Sequence, residues 1–171
     1  MIKKINFLFV TLFGIGKIKK IPGSIASLAT ILFLFFLFHI VNIDPNIVLI
    51  SLIIIFCISL YVVNIFIKDL DDKDPKEIVV DEFIGQSIPI CLYEIAHDTT
   101  KETNEILTFY FIMFVLFRIF DIAKPYPVNY YDKNFKNSFG VIMDDVIAGL
   151  YVVAVLVLYM VEKKKKKFLK V

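Results

Sequence analysis

Cysteine and histidine are scarce in this chain of 171 residues, which has two of each. Cys57 and Cys91 lie in apolar runs without partner spacing, so neither a disulfide nor a cysteine-bound metal is indicated. Internal repeats and linkers rich in Ser, Pro or Gly are also lacking, and the length fits one domain. The sequence therefore predicts a single domain over residues 1–171.

Charged residues are missing from long stretches, and 58% of the chain is hydrophobic, with a mean hydropathy of +0.77. Soluble globular domains contain about 45–50% apolar residues, so this composition excludes an ordinary soluble domain. Residues 46–67 carry no charge. At about 1.5 Å per residue they would cross a hydrocarbon core of about 30 Å. The chain is therefore expected to lie in a membrane.

Three further apolar stretches predict membrane helices, at residues 25–41, 105–123 and 146–161. The stretch 83–96 is short and contains Pro89, which is typical of a marginal crossing or a re-entrant segment. The expected fold is an all-α polytopic bundle of about four or five membrane segments, with a short or re-entrant third segment.

The two ends of the chain differ from this core. Residues 5–16 are apolar and follow lysines, but a small-x-small cleavage pattern is missing, so an interfacial segment is expected rather than a signal peptide. Residues 162–171 contain a run of lysines and predict a solvated basic tail that touches anionic headgroups.

Polar residues gather at one end of the predicted helices. If all five apolar stretches cross, residues 1–24, 68–82 and 124–145 lie on one side of the membrane. That side carries most of the basic residues, so it is expected to be cytoplasmic. The lysines of the C-terminal tail would then lie outside against this tendency, so the side of the tail is left open. The short stretch 83–96 is included among the crossing stretches for one reason. If it did not cross, Asp81 and Glu82 could not meet the charged residues near the end of the 105–123 segment.

Two pairs of acids open two of the apolar stretches, Asp81 with Glu82 and Asp144 with Asp145. The field at a helix N-terminus favours negative charge and explains one acid of a pair. It does not explain two separate pairs. These four acids are therefore candidate site residues.

A third polar group ends the 105–123 segment, where Arg118, Asp121 and Lys124 recur at intervals of three. This spacing places the three side chains on one helix face, and Pro125 is expected to stop the helix. An internal ion pair between Arg118 and Asp121 explains part of this pattern without any function.

Carboxylates that converge with Arg and Lys at one membrane face are typical of a magnesium-assisted phosphate site. Mg²⁺ prefers oxygen ligands, usually one or two carboxylates with waters and phosphate oxygens. Arg or Lys binds the remaining phosphate oxygens. The stretch IPGSIAS at 21–27 adds Ser24, Ser27 and backbone N–H groups that could hold an anion, although a turn with an N-cap serine explains the same residues.

Other phosphate chemistries fit the sequence less well. Neither cysteine is followed by the loop and arginine of a cysteine phosphatase, and His39 and His97 are placed away from the acids. Residues 69–74 resemble an aspartyl-nucleophile motif only loosely and are expected to form a solvated acidic loop.

Four motifs follow one another at the boundaries of the predicted membrane segments: PGSIASLA (22–29), VVDEFIG (79–85), FRIFDIAKPYPVNYYD (117–132) and GVIMDDVIAG (140–149). In this order they resemble the bacterial phosphatidylglycerophosphatase A family, over about residues 12–150. The family consists of integral-membrane, Mg²⁺-dependent lipid phosphatases that convert phosphatidylglycerol phosphate into phosphatidylglycerol. The first motif departs from the usual PGTxGSL, because Ser24 replaces Thr and Ala26 replaces Gly.

The resemblance implies a site, a cofactor and a location. It implies Mg²⁺ as cofactor, a phospholipid substrate in the membrane, no nucleic-acid partner, and a multi-pass place in the bacterial inner (cytoplasmic) membrane. Which acid binds metal and which acts as base is left open, as is the oligomeric state. Asp132 also falls on a family position. The implied metal-binding and catalytic acids are Asp81, Glu82, Asp121, Asp144 and Asp145, and the implied phosphate partners are Arg118 and Lys124. Ser24 and Ser27 are added as candidate phosphate-binding residues from the IPGSIAS stretch.

Two alternatives remain at this point. A CDP-alcohol phosphotransferase also uses acids and Mg²⁺ at the membrane edge, but DDVIAG lacks the Arg and the later acids of its motif. A non-enzymatic cation-binding membrane protein is the other alternative, although a transport path favours acids near the middle of the membrane.

Overall fold

The computed structural model describes residues 2–68, 70, 75–96 and 103–168. These residues form helices and no strands, which confirms the all-α prediction. A 3₁₀ turn precedes the second helix at Ile15–Lys17, and that helix continues as a π-helical turn at Phe36–Ile40. The helices are α1 (Ile2–Val10), α2 (Pro22–Phe35), α3 (Pro45–Ile67), α4 (Val80–Ala96), α5 (Thr103–Ala123), α6 (Val128–Asn134) and α7 (Ser138–Phe168).

Four stretches of helix in the described part are long and apolar enough to cross a membrane: Pro22–Ile40, Pro45–Ile67, Thr103–Ala123 and Ser138–Lys166. They correspond to the four long apolar stretches of the sequence. Large apolar side chains remain exposed along them, including Ile50, Ile54 and Tyr61 of α3. Exposed apolar faces on several neighbouring helices suit a lipid environment. The chain is a helical membrane protein.

The short third segment is the centre of the bundle. α4 packs against α2, α3, α5 and α7, and most of its residues are buried. It is one continuous helix rather than a re-entrant segment. Its first turn lies beside the start of α7, while Glu94 in its last turn accepts a hydrogen bond from the Tyr110 hydroxyl at 2.9 Å. Because protein surrounds α4, its sequence can be less apolar than that of a lipid-facing helix.

The last helix begins earlier than expected. α7 starts at Ser138, so Asp144 and Asp145 lie inside the helix, and its first turn contains no acid. The interpretation of this pair as residues preceding the helix was wrong. A segment chosen by hydropathy begins only after the two acids, because charged side chains suit lipid poorly. In the folded protein both acids are covered by other helices.

Within the described residues, two apolar clusters hold the helices together, and α4 and α7 contribute to both. One cluster joins α2, α4, α5 and α7 around Tyr110, Met113 and Phe117. The other joins α1, α3, α4 and α7 around Val63, Ile84 and Ile142. This arrangement fixes α4 against α7, which positions the acids of both helices.

Some sequence expectations lie outside the described residues, namely His97, residues 69 and 71–74 of the acidic loop, and residues 169–171. The expected basic tail is helical where it is described, because α7 continues to Phe168. Lys163 to Lys166 are exposed on it. Whether α1 lies in the interface stays a prediction.

Candidate active site

A cleft of about 390 Å³ opens at the end of the bundle where α2 and α4 begin and α5 ends. We call it the acidic cleft. It contains every candidate site residue of the sequence except Ser27. These lining residues are Ser24, Asp81, Glu82, Arg118, Asp121, Lys124, Asp144 and Asp145.

Three of the acids form a close group, the carboxylate trio Asp81, Glu82 and Asp145. One oxygen from each lies within 4.8 Å of the other two. Asp81 and Glu82 come from the first turn of α4, and Asp145 comes from α7. Asp81 is 7% and Asp145 is 3% exposed. Buried carboxylates this close repel one another unless a cation or protons compensate their charge.

Two glycines bring α4 and α7 close enough to form the trio. A Cβ atom on Gly149 would lie 2.3 Å from the backbone oxygen of Gly85, and one on Gly85 would lie 2.6 Å from the backbone oxygen of Asp145. Either contact is too short for a real side chain. Pro89 has no N–H to offer the Gly85 carbonyl, so this oxygen faces α7 without its usual helical partner.

A third glycine makes room for Glu82. A Cβ atom on Gly23 would lie 2.0 Å from Glu82 Oε1 and 3.4 Å from an Arg118 guanidinium nitrogen. The start of α2 thus has no side chain at the point where the Glu82 carboxylate lies. The sequence showed Pro22-Gly23 as a turn, but the packing role of Gly23 depends on a residue 59 positions away and has no local signal.

The remaining acids are paired with cations. Arg118 Nη1 lies 2.8 Å from Asp121 Oδ2, and Lys124 Nζ lies 2.7 Å from Asp144 Oδ2. α5 ends at Ala123 as Pro125 predicted, and Lys124 follows with a positive φ of 42°. The five acids therefore divide into the carboxylate trio and two acids that hold Arg118 and Lys124.

The two serines occupy different places. Ser24 lines the cleft within the first turn of α2, which begins at Pro22 with Ile21 as its N-cap residue. Ser27 is fully buried. Its hydroxyl donates to the Gly23 carbonyl at 3.0 Å and accepts from Arg118 at 3.5 Å. Ser27 thus supports Arg118, and phosphate binding by either serine stays a prediction.

Two lysines of the cleft were not among the candidate residues. Lys19 and Lys76 both line it, and both are exposed. Lys76 lies on the segment before α4, which is held by a 2.9 Å hydrogen bond from Val79 N–H to the Val10 carbonyl. Loop lysines are common, so the sequence offered no signal that Lys76 faces the acids.

The charge of the cleft fits a bound divalent cation. Among the described residues that line the cleft, five carboxylates face four cationic side chains, so this part of the ionised lining is net negative and would repel a phosphate monoester. Glu82 Oε2 is also buried without a hydrogen-bond partner. Carboxylate oxygens are the ligands that hard cations such as Mg²⁺ prefer. The carboxylate trio can therefore hold a metal ion, which would reverse the sign of the cleft.

Membrane-crossing helices and a cleft of acids, Arg and Lys at their ends define a membrane enzyme for phosphate chemistry. The sequence model of the phosphatidylglycerophosphatase A family matches residues 8–160. The chain belongs to this family, and it is a phosphatase.

Two relatives that carry the family name match most of the chain, and a third matches less than half of it. It is 34% identical to phosphatidylglycerophosphatase A of Haemophilus influenzae over 84% of this chain and 81% of the relative. It is 32% identical to phosphatidylglycerophosphatase A of Escherichia coli over 81% of this chain and 73% of the relative. A putative phosphatidylinositol-3-phosphatase of Bacteroides thetaiotaomicron is 40% identical over 46% of this chain and 45% of that protein. No solved structure matches the chain.

Proposed function

We propose that this protein is a Mg²⁺-dependent phosphatase that hydrolyses phosphatidylglycerol phosphate to phosphatidylglycerol and inorganic phosphate. One observation carries the proposal. The carboxylate trio, with its oxygens within 4.8 Å of one another, lies in the same cleft as Arg118 and Lys124. The names of two relatives that match over most of the chain support the lipid substrate.

In this proposal the trio of Asp81, Glu82 and Asp145 holds the metal ion. Bound Mg²⁺ supplies positive charge that neutralises phosphate oxygens and favours attack by water. Asp121 and Asp144 lie outside the trio, and each holds a cationic side chain by an ion pair.

Arg118 and Lys124 bind the phosphate oxygens, and the exposed Lys19 and Lys76 add positive charge at the mouth of the cleft. Charge-assisted hydrogen bonds from Arg and Lys are the strong contacts for such a group. A water oxygen bonds to phosphorus while the bond from phosphorus to the glycerol oxygen breaks. A cleft carboxylate accepts a proton from the water, a proton returned from the cleft passes to the glycerol oxygen, and this oxygen leaves as a hydroxyl.

The position of the cleft suits a lipid substrate. It lies at the end of helices that cross the membrane, so the phosphate reaches it at headgroup depth while the acyl chains stay in the bilayer. The excess of basic residues on this side favours the cytoplasmic face of the bacterial inner membrane.

Phosphate release by the purified protein in micelles tests the proposal. Phosphatidylglycerol phosphate is compared with phosphatidic acid, phosphatidylinositol 3-phosphate and a soluble phosphomonoester, each with Mg²⁺ and with excess EDTA. We expect release from phosphatidylglycerol phosphate that EDTA abolishes. Preferred release from phosphatidylinositol 3-phosphate would overturn the substrate, and full activity in EDTA would overturn the metal dependence.

Variants of the trio make the test specific to the site. Asp81→Asn and Asp145→Asn should each abolish release while the melting temperature in micelles shows a folded protein. Glu105→Gln, at the start of α5 and far from the cleft, is the matched control. Wild-type turnover in both Asn variants would contradict the role of the trio.

A further inference from the structure

Buried polar atoms without a partner gather beside the acidic cleft. In the described part of the chain, such side-chain atoms are Ser59 Oγ, Glu82 Oε2, both amide atoms of Gln86, and Arg118 Nε. An unpaired buried polar atom is unfavourable, because it has lost its hydrogen bonds to water. Ser59 lies apart on α3, but the other residues come from adjoining turns of α4 and α5. Their arrangement points to hydrogen bonds among them through bridging water.

Gln86 belongs to the same helix face as Glu82, because it follows Glu82 by four residues. It is fully buried. Side chains on a helix lean toward its N-terminus, so a long side chain at position 86 extends toward the turn that holds Glu82. That turn lines the acidic cleft.

Arg118 reaches the same level from α5. The helices α2 and α4 pack together and both begin at the cleft, so they run in the same direction. Glu82 of α4 lies beside Gly23 of α2. One turn further along each helix, Gln86 is therefore level with Ser27. An Arg118 guanidinium nitrogen is 3.5 Å from Ser27 Oγ. Arg118 therefore spans the two levels that Glu82 and Gln86 occupy.

The unpaired atoms are chemically complementary. Glu82 Oε2 requires a donor and Arg118 Nε–H requires an acceptor, while an amide offers both. We propose that Gln86 is a positioning residue, whose amide N–H donates toward the Glu82 carboxylate and whose amide oxygen accepts from the Arg118 guanidinium, in each case through a bridging water. It thereby holds a ligand of the metal and a phosphate-binding side chain in fixed relation. This inference rests on the proposed function of the cleft.

A purely structural role predicts a different outcome. If Gln86 is a buried amide that makes no bond, an apolar residue of similar volume removes the cost of burying it and stabilises the protein. Metal affinity and turnover would then be unchanged. A positioning role predicts a loss of both, since removal of a partner that orients a metal ligand reduces affinity or activity by about 10–100-fold.

Gln86→Met, compared with Ser59→Ala, separates these outcomes. Both substitutions remove a buried polar group without a partner, but only the first lies beside the cleft. The readouts are Mg²⁺ affinity by calorimetry on the purified protein without substrate, the melting temperature, and kcat and KM for phosphatidylglycerol phosphate. We expect Gln86→Met to weaken Mg²⁺ binding by about 10–100-fold, and Ser59→Ala to leave it unchanged.

Gln86→Asn provides the conservative variant, because it keeps the amide and shortens the side chain by one methylene. Its Mg²⁺ affinity should lie between those of wild type and Gln86→Met, which also decides the matter if the Met variant does not fold. Wild-type Mg²⁺ affinity and kcat/KM in the folded Met variant, or in Asn when Met does not fold, would overturn the inference. A wild-type protein that neither binds Mg²⁺ nor releases phosphate would instead overturn the proposed function.

Discussion

The substitution Gly23→Ala tests the site most directly, because it adds one methyl group where a carboxylate lies. The new Cβ would be 2.0 Å from Glu82 Oε1, whereas ordinary contact begins at 3.4 Å. The carboxylate must therefore retreat by about 1.4 Å, and a misplacement of about 1 Å can cost on the order of 10²-fold in rate. The clash involves the end of a flexible side chain rather than backbone, so the fold should survive.

We expect kcat/KM of Gly23→Ala to fall by about 10²-fold, with weaker Mg²⁺ binding and a melting temperature equal to or above that of wild type. Gly23 lies in the first turn of α2, where alanine loses less backbone conformational entropy on folding than glycine does. Phosphate release from phosphatidylglycerol phosphate, a Mg²⁺ titration and thermal unfolding in micelles measure the three quantities.

A double variant separates displacement of Glu82 from other effects. Glu82→Asp shortens the acid and vacates the space that the new methyl needs, so the two substitutions should not be additive. Gly23→Ala combined with Glu82→Asp should be no less active than Glu82→Asp alone. Wild-type kcat/KM in Gly23→Ala, or fully additive losses in the double variant, would refute the reasoning.

Two further predictions concern the scaffold. Gly149→Ala places a Cβ 2.3 Å from the Gly85 carbonyl oxygen. Because the backbone cannot move aside as a side chain does, we expect a stability loss of about 1–3 kcal/mol or more. Thermal unfolding should show a lower melting temperature, and a titration should show lost Mg²⁺ binding. Glu94→Leu removes the nearer partner of the buried Tyr110 hydroxyl, at 2.9 Å, and leaves the 3.5 Å contact with His39 Nε2, so we expect a stability loss of about 1 kcal/mol. The kcat for phosphatidylglycerol phosphate should match wild type, and a reduced kcat with normal folding would assign that end of the bundle a part in catalysis.

Hydropathy was sufficient for the helices that face lipid. The apolar stretch 46–67 coincides with α3, and 105–123 nearly coincides with α5. It was insufficient for helices enclosed by protein. α4 was taken as marginal and α7 was started eight residues late, because both carry polar residues that other helices cover. Segment α6 has no long apolar run and was not predicted at all.

The sequence by itself determined the membrane character, the family and the set of charged residues, because these depend on composition and on short ordered motifs such as VVDEFIG and GVIMDDVIAG. Only the tertiary structure divided the acids into the carboxylate trio and two ion-paired residues. That division depends on how closely α4 crosses α7 at Gly85 and Gly149 and on the space that Gly23 leaves for Glu82. Such distances join residues far apart in the chain, and no local pattern encodes them.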